Sequence, residues 1–373
     1  MTLALCFLAF CLLAIALHLI SIALAATRMR VRRQLLQPPP DAPPVTLIRP
    51  VCGIEAFSKE TLGSSFALDY PNYEILFCVA RADDPVTAIV HRLIDAHPHI
   101  PARLLVGNDR VSLNPKLNNT VKGWDAARSE WIVMADSNVL MPRDYIQRLM
   151  GRWRRDTGVV CSVPIASRPA NFWAELECAF LNSFQARWEY AADTLGAGYA
   201  QGKSMLTRKS VVERGGGIRA LGAEIAEDAA LTKLLRAAGL KVHLVDNPFE
   251  QPLGPRSAAE VWARQTRWSR LRRMTFPLLF VPELLAGGFF PLVAAMAFAL
   301  DARIDMAAIA AAFLVLWLGA EAVLARRAGW HWSIRMLLAC LLRDLLLPLL
   351  WVDAWLGSSF TWRGTEMRPR EAT

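Results

Sequence analysis

The sequence predicts an α/β protein with a mostly parallel sheet, carrying an N-terminal transmembrane helix and further membrane helices toward the C-terminus. Three observations predict it. Apolar residues make up 54% of the 373 positions, but they concentrate at the N-terminus and after Phe276, leaving a more polar middle. From Val45 that middle alternates short β-rich runs with helical ones, the spacing of βαβ units. Arginines flank the apolar runs, as they do on the cytoplasmic side of membrane segments.

Residues 2–26 are almost unbroken apolar sequence, and about 20 such residues span a hydrocarbon core. The basic residues Arg28, Arg30, Arg32 and Arg33 follow this run rather than lead it. It therefore reads as an uncleaved anchor over 1–27, N-terminus outside, and not as a signal peptide. Residues 28–44 form a basic linker stiffened by five prolines. The soluble domain is expected over 45–256, with candidate strands at 45–48, 73–79, 103–106 and 131–135 and helical stretches near 59–67, 86–96 and 117–127. Ligands of such sheets bind beyond the carboxyl ends of the strands. The residues just after them are Arg49-Pro50, Asp83-Asp84-Pro85 and Asp136-Ser137-Asn138, so carboxylates gather on one rim.

Residues 257–275 predict an amphipathic, Arg-rich interfacial helix on which Arg264, Arg267 and Trp268 share a face through i, i+3 and i+4 spacing. A basic helix with interspersed Trp would by itself lie on a membrane surface. Spans at 276–300 and 306–325 predict a transmembrane hairpin over 276–325, bounded by Arg272-Arg273 and Arg326-Arg327. Within 326–373, the apolar stretch 336–356 holds Arg343, Asp344 and Asp353, which are costly at mid-bilayer. With Arg335 before it and Arg363, Arg368 and Arg370 after it, this stretch reads as a re-entrant or in-plane element followed by a C-terminal tail.

The net charge of +9 is accounted for by these membrane flanks. No nucleic-acid motif accompanies it, so no nucleic-acid partner is expected. Seven scattered cysteines without a CxxC pair argue against a zinc site or disulfide framework, and His97-Pro98-His99 reads as a loop. So few spans, with most charge outside them, leave no pathway for a transporter.

Several positions carry candidate chemistry, each beside a blander alternative. Asp136 suits metal or diphosphate contact, or caps the next helix. Asp84-Pro85 is equally a helix start with Pro at its first position. Lys116 can pair with phosphate and Asn114, Asn118 and Asn119 with ribose or base, or the whole segment is a polar helix start. Glu227-Asp228 opens a helix, where a carboxylate serves as general base toward an acceptor hydroxyl or merely complements the helix dipole.

Taken in order, these segments resemble the ceramide glucosyltransferase family, a branch of the inverting GT-A-type glycosyltransferases. The pattern is an acid pair before Pro (Asp83-Asp84-Pro85), Asp-Ser (Asp136-Ser137), Glu-Asp (Glu227-Asp228), and Arg264-Gln265-Thr266-Arg267-Trp268. Leu68-Asp69-Tyr70-Pro71, Asn114-Pro115-Lys116 with Asn118-Asn119, Gly202-Lys203-Ser204-Met205 and Thr361-Trp362-Arg363 are also similar to family segments. The resemblance spans roughly Val45 to Trp268, and the membrane tail in outline.

The resemblance implies a GT-A-type nucleotide-sugar-binding domain and a hexosyltransferase that acts with inversion. The implied partners are a UDP-sugar donor, a membrane lipid acceptor (foremost ceramide) and the lipid bilayer. Rival readings are another lipid alcohol, such as a hopanoid or diacylglycerol, and a non-catalytic membrane scaffold. It implies Asp228 as catalytic base and Glu55, Asp84, Lys116, Asp136, Arg264, Arg267 and Trp268 as donor contacts. Glu227 and Trp268 fall to the acceptor, and Asp136 to a divalent cation, Mg2+ or Mn2+. Asn138 stands where many relatives carry a second acid, which implies weaker metal ligation or ligation through phosphate and water. Arg264 replaces the Gln of polysaccharide synthases, favouring a lipid acceptor. The expected location is a bacterial inner membrane with the catalytic domain in the cytoplasm.

Overall fold

The computed structural model describes residues 2–29, 35–357, 359–362 and 365–367, and the chain falls into two compact units. Arg30, Arg32 and Arg33, expected to close the first anchor, and the tail residues Arg363, Arg368 and Arg370 lie outside the described residues.

The first unit, residues 32–167 and 192–254, is the α/β one. Its strands are β1 (Val45–Pro50), β2 (Tyr73–Val79), β3 (Ala102–Val106), β4 (Trp131–Ala135), β5 (Thr157–Ser162), β6 (Ile165–Pro169), β7 (Ser204–Arg208), β8 (Lys241–Leu244) and β9 (Glu250–Gly254). Between them run α2 (Ser58–Gly63), α3 (Val86–Ala96), α4 (Pro115–Ala126), α5 (Tyr145–Met150), α8 (Lys209–Arg214) and α9 (Glu227–Ala237). The main sheet has the order β3-β2-β1-β4-β7-β5-β8, while β6 and β9 form a separate pair. β1, β2, β3 and β4 are mutually parallel, so their carboxyl ends share one edge. β1 and β5 are buried throughout, as strands covered on both faces are. Leu47, Ile75, Phe77, Val133, Val160 and Leu206 form the core between the layers.

β7 is antiparallel to both its neighbours, with Ser204 opposite Ala135. It therefore starts at the edge where β4 ends. β1 is longer than expected and takes in Arg49, which is 0% exposed. Its guanidinium donates to the carbonyls of Thr61 (2.7 Å), Asp136 (2.8 Å) and Val139 (3.1 Å) and to Ser65 Oγ. Arg49 is thus a clamp on the loop after β4 and not a rim residue facing a ligand.

The second unit, residues 1–31, 168–191 and 255–373, is helical. It contains α1 (Thr2–Arg28), α6 (Phe172–Cys178), a π-helical stretch (Ala179–Ala186), the start of α7 (Arg187–Thr194), α10 (Ala258–Thr275), α11 (Pro277–Phe280), α12 (Phe289–Asp301), α13 (Met306–Ala328) and α14 (Ile334–Leu356). Residues 168–191, expected inside the soluble domain, cluster here instead. By length and composition, two helices among the described residues can cross a membrane, Leu3–Arg28 and Met306–Ala328. A third span arises if the bent pair Pro277–Leu285 and Phe289–Asp301 counts as one.

The structure corrects one of the expected membrane elements and adds detail to two others. The span 276–300 is not one helix: it breaks before Phe289 and bends by 40°. At the break, a Cβ on Gly288 would stand 2.8 Å from Asp344 Oδ2 and 3.0 Å from Trp317 Nε1, so a side chain there would have to push these groups aside. α10 is a helix with a capping box from Ser257 and Glu260, but its buried positions are Val261, Gln265, Thr266, Ser269 and Thr275. That inward stripe is largely polar. α14 runs unbroken through Pro348 and is not among the helices apolar enough to cross a membrane, and its charges are partnered inside the unit. Arg343 meets both oxygens of the fully buried Glu321 at 2.9 Å and Asp344 Oδ1 at 2.8 Å, and also Ser183 Oγ at 2.8 Å.

Candidate active site

Two strand ends and two helix starts in the α/β unit bring the charged residues together. Asp136 follows β4, whose five residues are apolar and largely buried. Lys116 sits in the first turn of α4, whose cap Asn114 accepts from the N–H groups of Lys116 (2.8 Å) and Leu117 (3.2 Å). Glu227 and Asp228 open α9. Asn114 Nδ2 also donates to Glu227 Oε2 at 2.6 Å, which ties the two helix starts to each other. Gly202-Lys203 precede antiparallel β7 and so arrive at the same edge.

Lys116 Nζ lies 2.7 Å from Asp136 Oδ1 and 2.7 Å from Glu227 Oε1, and also donates to the Gly202 carbonyl. Lys203 Nζ lies 2.9 Å from Asp136 Oδ2 and 3.3 Å from Asn138 Oδ1. Asp228 is held through both oxygens: Oδ2 accepts from the Gly202 N–H at 2.9 Å and Oδ1 from the Ala229 N–H at 2.8 Å. A Cβ on Gly202 would stand 2.9 Å from Lys116 Nζ, 3.0 Å from Glu227 Oε1 and 3.1 Å from Asp228 Oδ2, so any side chain there would displace the three charged groups.

The same packing sets the protonation states. Burial opposes the charge on Asp136, but Lys116 and Lys203 overcome it and hold the carboxyl well below the usual range. Burial likewise opposes the Lys116 ammonium, and Asp136 and Glu227 hold it protonated far into the alkaline range. Asp228 goes the other way. Burial, then the neighbouring Glu227 charge, push it up to about 6 against Lys116 and its two N–H partners. One carboxylate is locked as an anion, while another nearby is made basic enough to take a proton near neutrality.

A divalent ion needs oxygen ligands. Among the described residues no three His, Cys, Asp or Glu groups are set to hold one. Asp136 Oδ2 and Asn138 Oδ1 nevertheless converge on a single cationic atom, Lys203 Nζ. Two oxygens meeting on one cation fit an ion that completes its shell with diphosphate oxygens and water, the common manner of Mg2+ sites.

The remaining candidates are distributed as follows. Asp84 accepts from the Gly53 N–H (2.9 and 3.1 Å) and the Val86 N–H (3.0 Å), so its carboxylate fastens the loop after β1 to the start of α3. Glu55 lies in that loop, with Asn138 Nδ2 3.5 Å from its Oε2. Asn118 Oδ1 accepts from Val111 and Ser112 N–H groups, and Asn119 donates to the Val51 and Cys78 carbonyls. The helix-start reading therefore accounts for the asparagines. Asp136 caps no helix, since α5 begins only at Tyr145. Arg264, Arg267 and Trp268 lie on α10 in the helical unit. There Arg264 Nη1 pairs at 2.9 Å with Glu177 Oε1, a fully buried carboxylate that also takes Arg256 Nε at 3.3 Å. Sequence reasoning assigned no role to Lys203, Gly202 or Glu177. The first two stood in a segment quoted only for its family likeness.

A profile of Glycosyl transferase family 21 matches residues 13–373. Ceramide glucosyltransferase 1 of Caenorhabditis elegans is 29% identical over 250 residues, which cover 66% of this chain and 54% of that protein. Ceramide glucosyltransferase 3 of the same organism is 26% identical over 350 residues, 92% of this chain and 76% of that protein. A ceramide glucosyltransferase of Komagataella phaffii is 38% identical over 112 residues, 29% of this chain and 22% of that protein. The chain thus spans about half the length of the first of these relatives. Among solved structures, a mannosyltransferase from Pyrobaculum calidifontis in complex with GDP-Man and Mn2+ superposes with a TM-score of 0.57 at 17% identity, covering 92% of this chain and 98% of that one. At that identity the likeness is one of fold, the mostly parallel α/β glycosyltransferase fold.

Proposed function

Because the chain belongs to Glycosyl transferase family 21, we propose that it is a hexosyltransferase that moves a sugar from a UDP-sugar to a membrane lipid alcohol, with ceramide the first acceptor to test. The observation that carries this reading is the cluster of Lys116, Asp136, Glu227 and Asp228 at the carboxyl edge of the parallel strands, where ligands of such sheets bind. The reaction is a single in-line displacement with inversion. The acceptor oxygen forms its bond to the anomeric carbon, the bond from that carbon to the phosphate oxygen breaks, and the acceptor proton passes to Asp228. Lys116 supplies positive charge toward the departing diphosphate, and Gly202 and Ala229 keep the Asp228 carboxylate aimed. A divalent cation at Asp136 and Asn138 would add Lewis-acid neutralisation of diphosphate charge.

Glu55 and Asp84 are donor contacts through the loop after β1, and Arg264, Arg267 and Trp268 keep the donor roles the resemblance gives them. Glu227 and Trp268 are the acceptor contacts. The apolar helices of the helical unit hold the protein in the bilayer. Arg28, Arg272-Arg273 and Arg326-Arg327 at helix ends support an orientation with those ends on the cytoplasmic face.

The test is transfer by membranes carrying the protein, supplied with several UDP-sugars and with ceramide, diacylglycerol or hopanoid. Glycolipid forms with the wild type and falls about 100-fold or more in Asp228→Asn. Transfer that survives in Asp228→Asn overturns the role of that residue, and no product with any lipid overturns the acceptor class.

A further inference from the structure

Lys203 is bound at both ends. Its carbonyl accepts from the Asp136 N–H at 3.0 Å, which extends the β4–β7 pairing by one residue. Its ammonium then turns back onto Asp136 Oδ2 (2.9 Å) and Asn138 Oδ1 (3.3 Å), the two oxygens that fit a divalent ion. We propose that Lys203 is a tethered cation that occupies the divalent-ion position until the donor diphosphate arrives, so that ion and nucleotide bind as a linked pair.

The proposal rests on the nucleotide-sugar reading of this site and adds the order of its assembly. The cluster holds two ammonium groups, Lys116 and Lys203, and three carboxylates, Asp136, Glu227 and Asp228. An ion entering alone has to displace an ammonium already held by both of these oxygens, and the freed ammonium needs another anionic partner. A diphosphate entering with the ion provides that partner. Lys203 has a flexible four-carbon stem and three rotatable donors, so it exchanges one pair of oxygens for the other without movement of the backbone. By linkage, the nucleotide then raises ion affinity by the same factor as the ion raises nucleotide affinity.

The experiment follows Mn2+ binding by the disappearance of the free-ion paramagnetic resonance signal. It uses the full chain in detergent, with and without UDP, and reads UDP binding separately by calorimetry. The wild type is expected to bind Mn2+ weakly alone, and UDP to tighten it on the order of tenfold or more. Lys203→Met is expected to bind Mn2+ about tenfold tighter than the wild type without UDP and to lose most of the UDP effect. Lys203→Arg keeps a tethered cation and stays weak, and adding Asn138→Ala to Lys203→Met removes the gain. The proposal is overturned if Lys203→Met binds Mn2+ no better than the wild type, or if the wild type binds it tightly without UDP. Absence of UDP binding to any variant instead brings down the nucleotide reading, and the proposal with it.

Discussion

The backbone N–H of Gly202 donates to Asp228 Oδ2 at 2.9 Å while the carbonyl of the same residue accepts from Lys116. One peptide segment thereby fixes the spacing between the proposed base and the lysine proposed to face the leaving group. Adding a methyl here places a carbon 2.9 Å from Lys116 Nζ and 3.1 Å from Asp228 Oδ2. Gly202→Ala is expected to lower kcat by about 10- to 100-fold, the scale of a misplacement near 1 Å, with an unchanged melting temperature and circular dichroism spectrum.

The acid limb of the rate profile should report Asp228. Its pKa is raised to about 6, and a base works only when deprotonated, so kcat is expected to fall as pH drops through about 6. Glu227 is one source of that elevation. In Glu227→Gln the like charge is gone and Lys116 loses a competing partner, and both changes favour the Asp228 anion. The limb should therefore move to lower pH. A limb that stays in place or moves upward contradicts the assignment.

Arg49 predicts a stability effect with a functional echo. Arg49→Leu takes a charged donor from the carbonyls of Thr61, Asp136 and Val139 and from Ser65 Oγ, while Thr61 keeps the Ser64 hydroxyl and Asp136 keeps the Val139 N–H. The expected loss is about 3 kcal/mol or more, read by denaturant unfolding. The KM for the donor should rise as well, because the loop carrying Asp136 loses its clamp.

In the helical unit, Arg343→Leu removes the guanidinium paired with both Glu321 and Asp344, leaving Glu321 the charge of Arg187 and Asp344 the Gly288 N–H. It should cost about 3–5 kcal/mol, measured as thermal denaturation in micelles. Removing Glu321 as well, by Glu321→Leu in the same chain, should recover part of the loss. A double variant less stable than Arg343→Leu alone would show that the pair does not behave as a unit.

The parallel half of the sheet was legible because buried parallel strands write themselves as apolar runs. The expected strands 73–79 and 131–135 coincide with β2 and β4. The site was legible only in part, and Lys203 shows why. A search for the residues that follow strands finds Asp84 and Asp136, but an antiparallel strand presents to that edge the residues that precede it. Only the pairing of Ser204 with Ala135 reveals that Gly202 and Lys203 belong there. The fate of Asp84 was undetermined for a different reason. A carboxylate before Pro has the same sequence whether it caps a helix, binds a ligand or, as here, ties two backbone segments together. Arg343 looked costly at depth because its partner Glu321 lies on another helix, and no local pattern announces a charge pair between helices.

Residues 168–191 leave the α/β unit after β6 and the chain re-enters it before β7. As the protein emerges from the ribosome, the neighbours β4 and β5 therefore wait for β7 with an empty lane between them, while a stretch committed to the helical unit passes through. Domains that are continuous in sequence can close as they are made, but this sheet cannot. Its central lane is filled only after the first apolar helix and the inserted helices have been synthesised. The unfinished edges of β4 and β5 are exposed during that interval, and mutations that slow the delivery of β7 should appear first as loss of yield, before any loss of turnover per folded molecule.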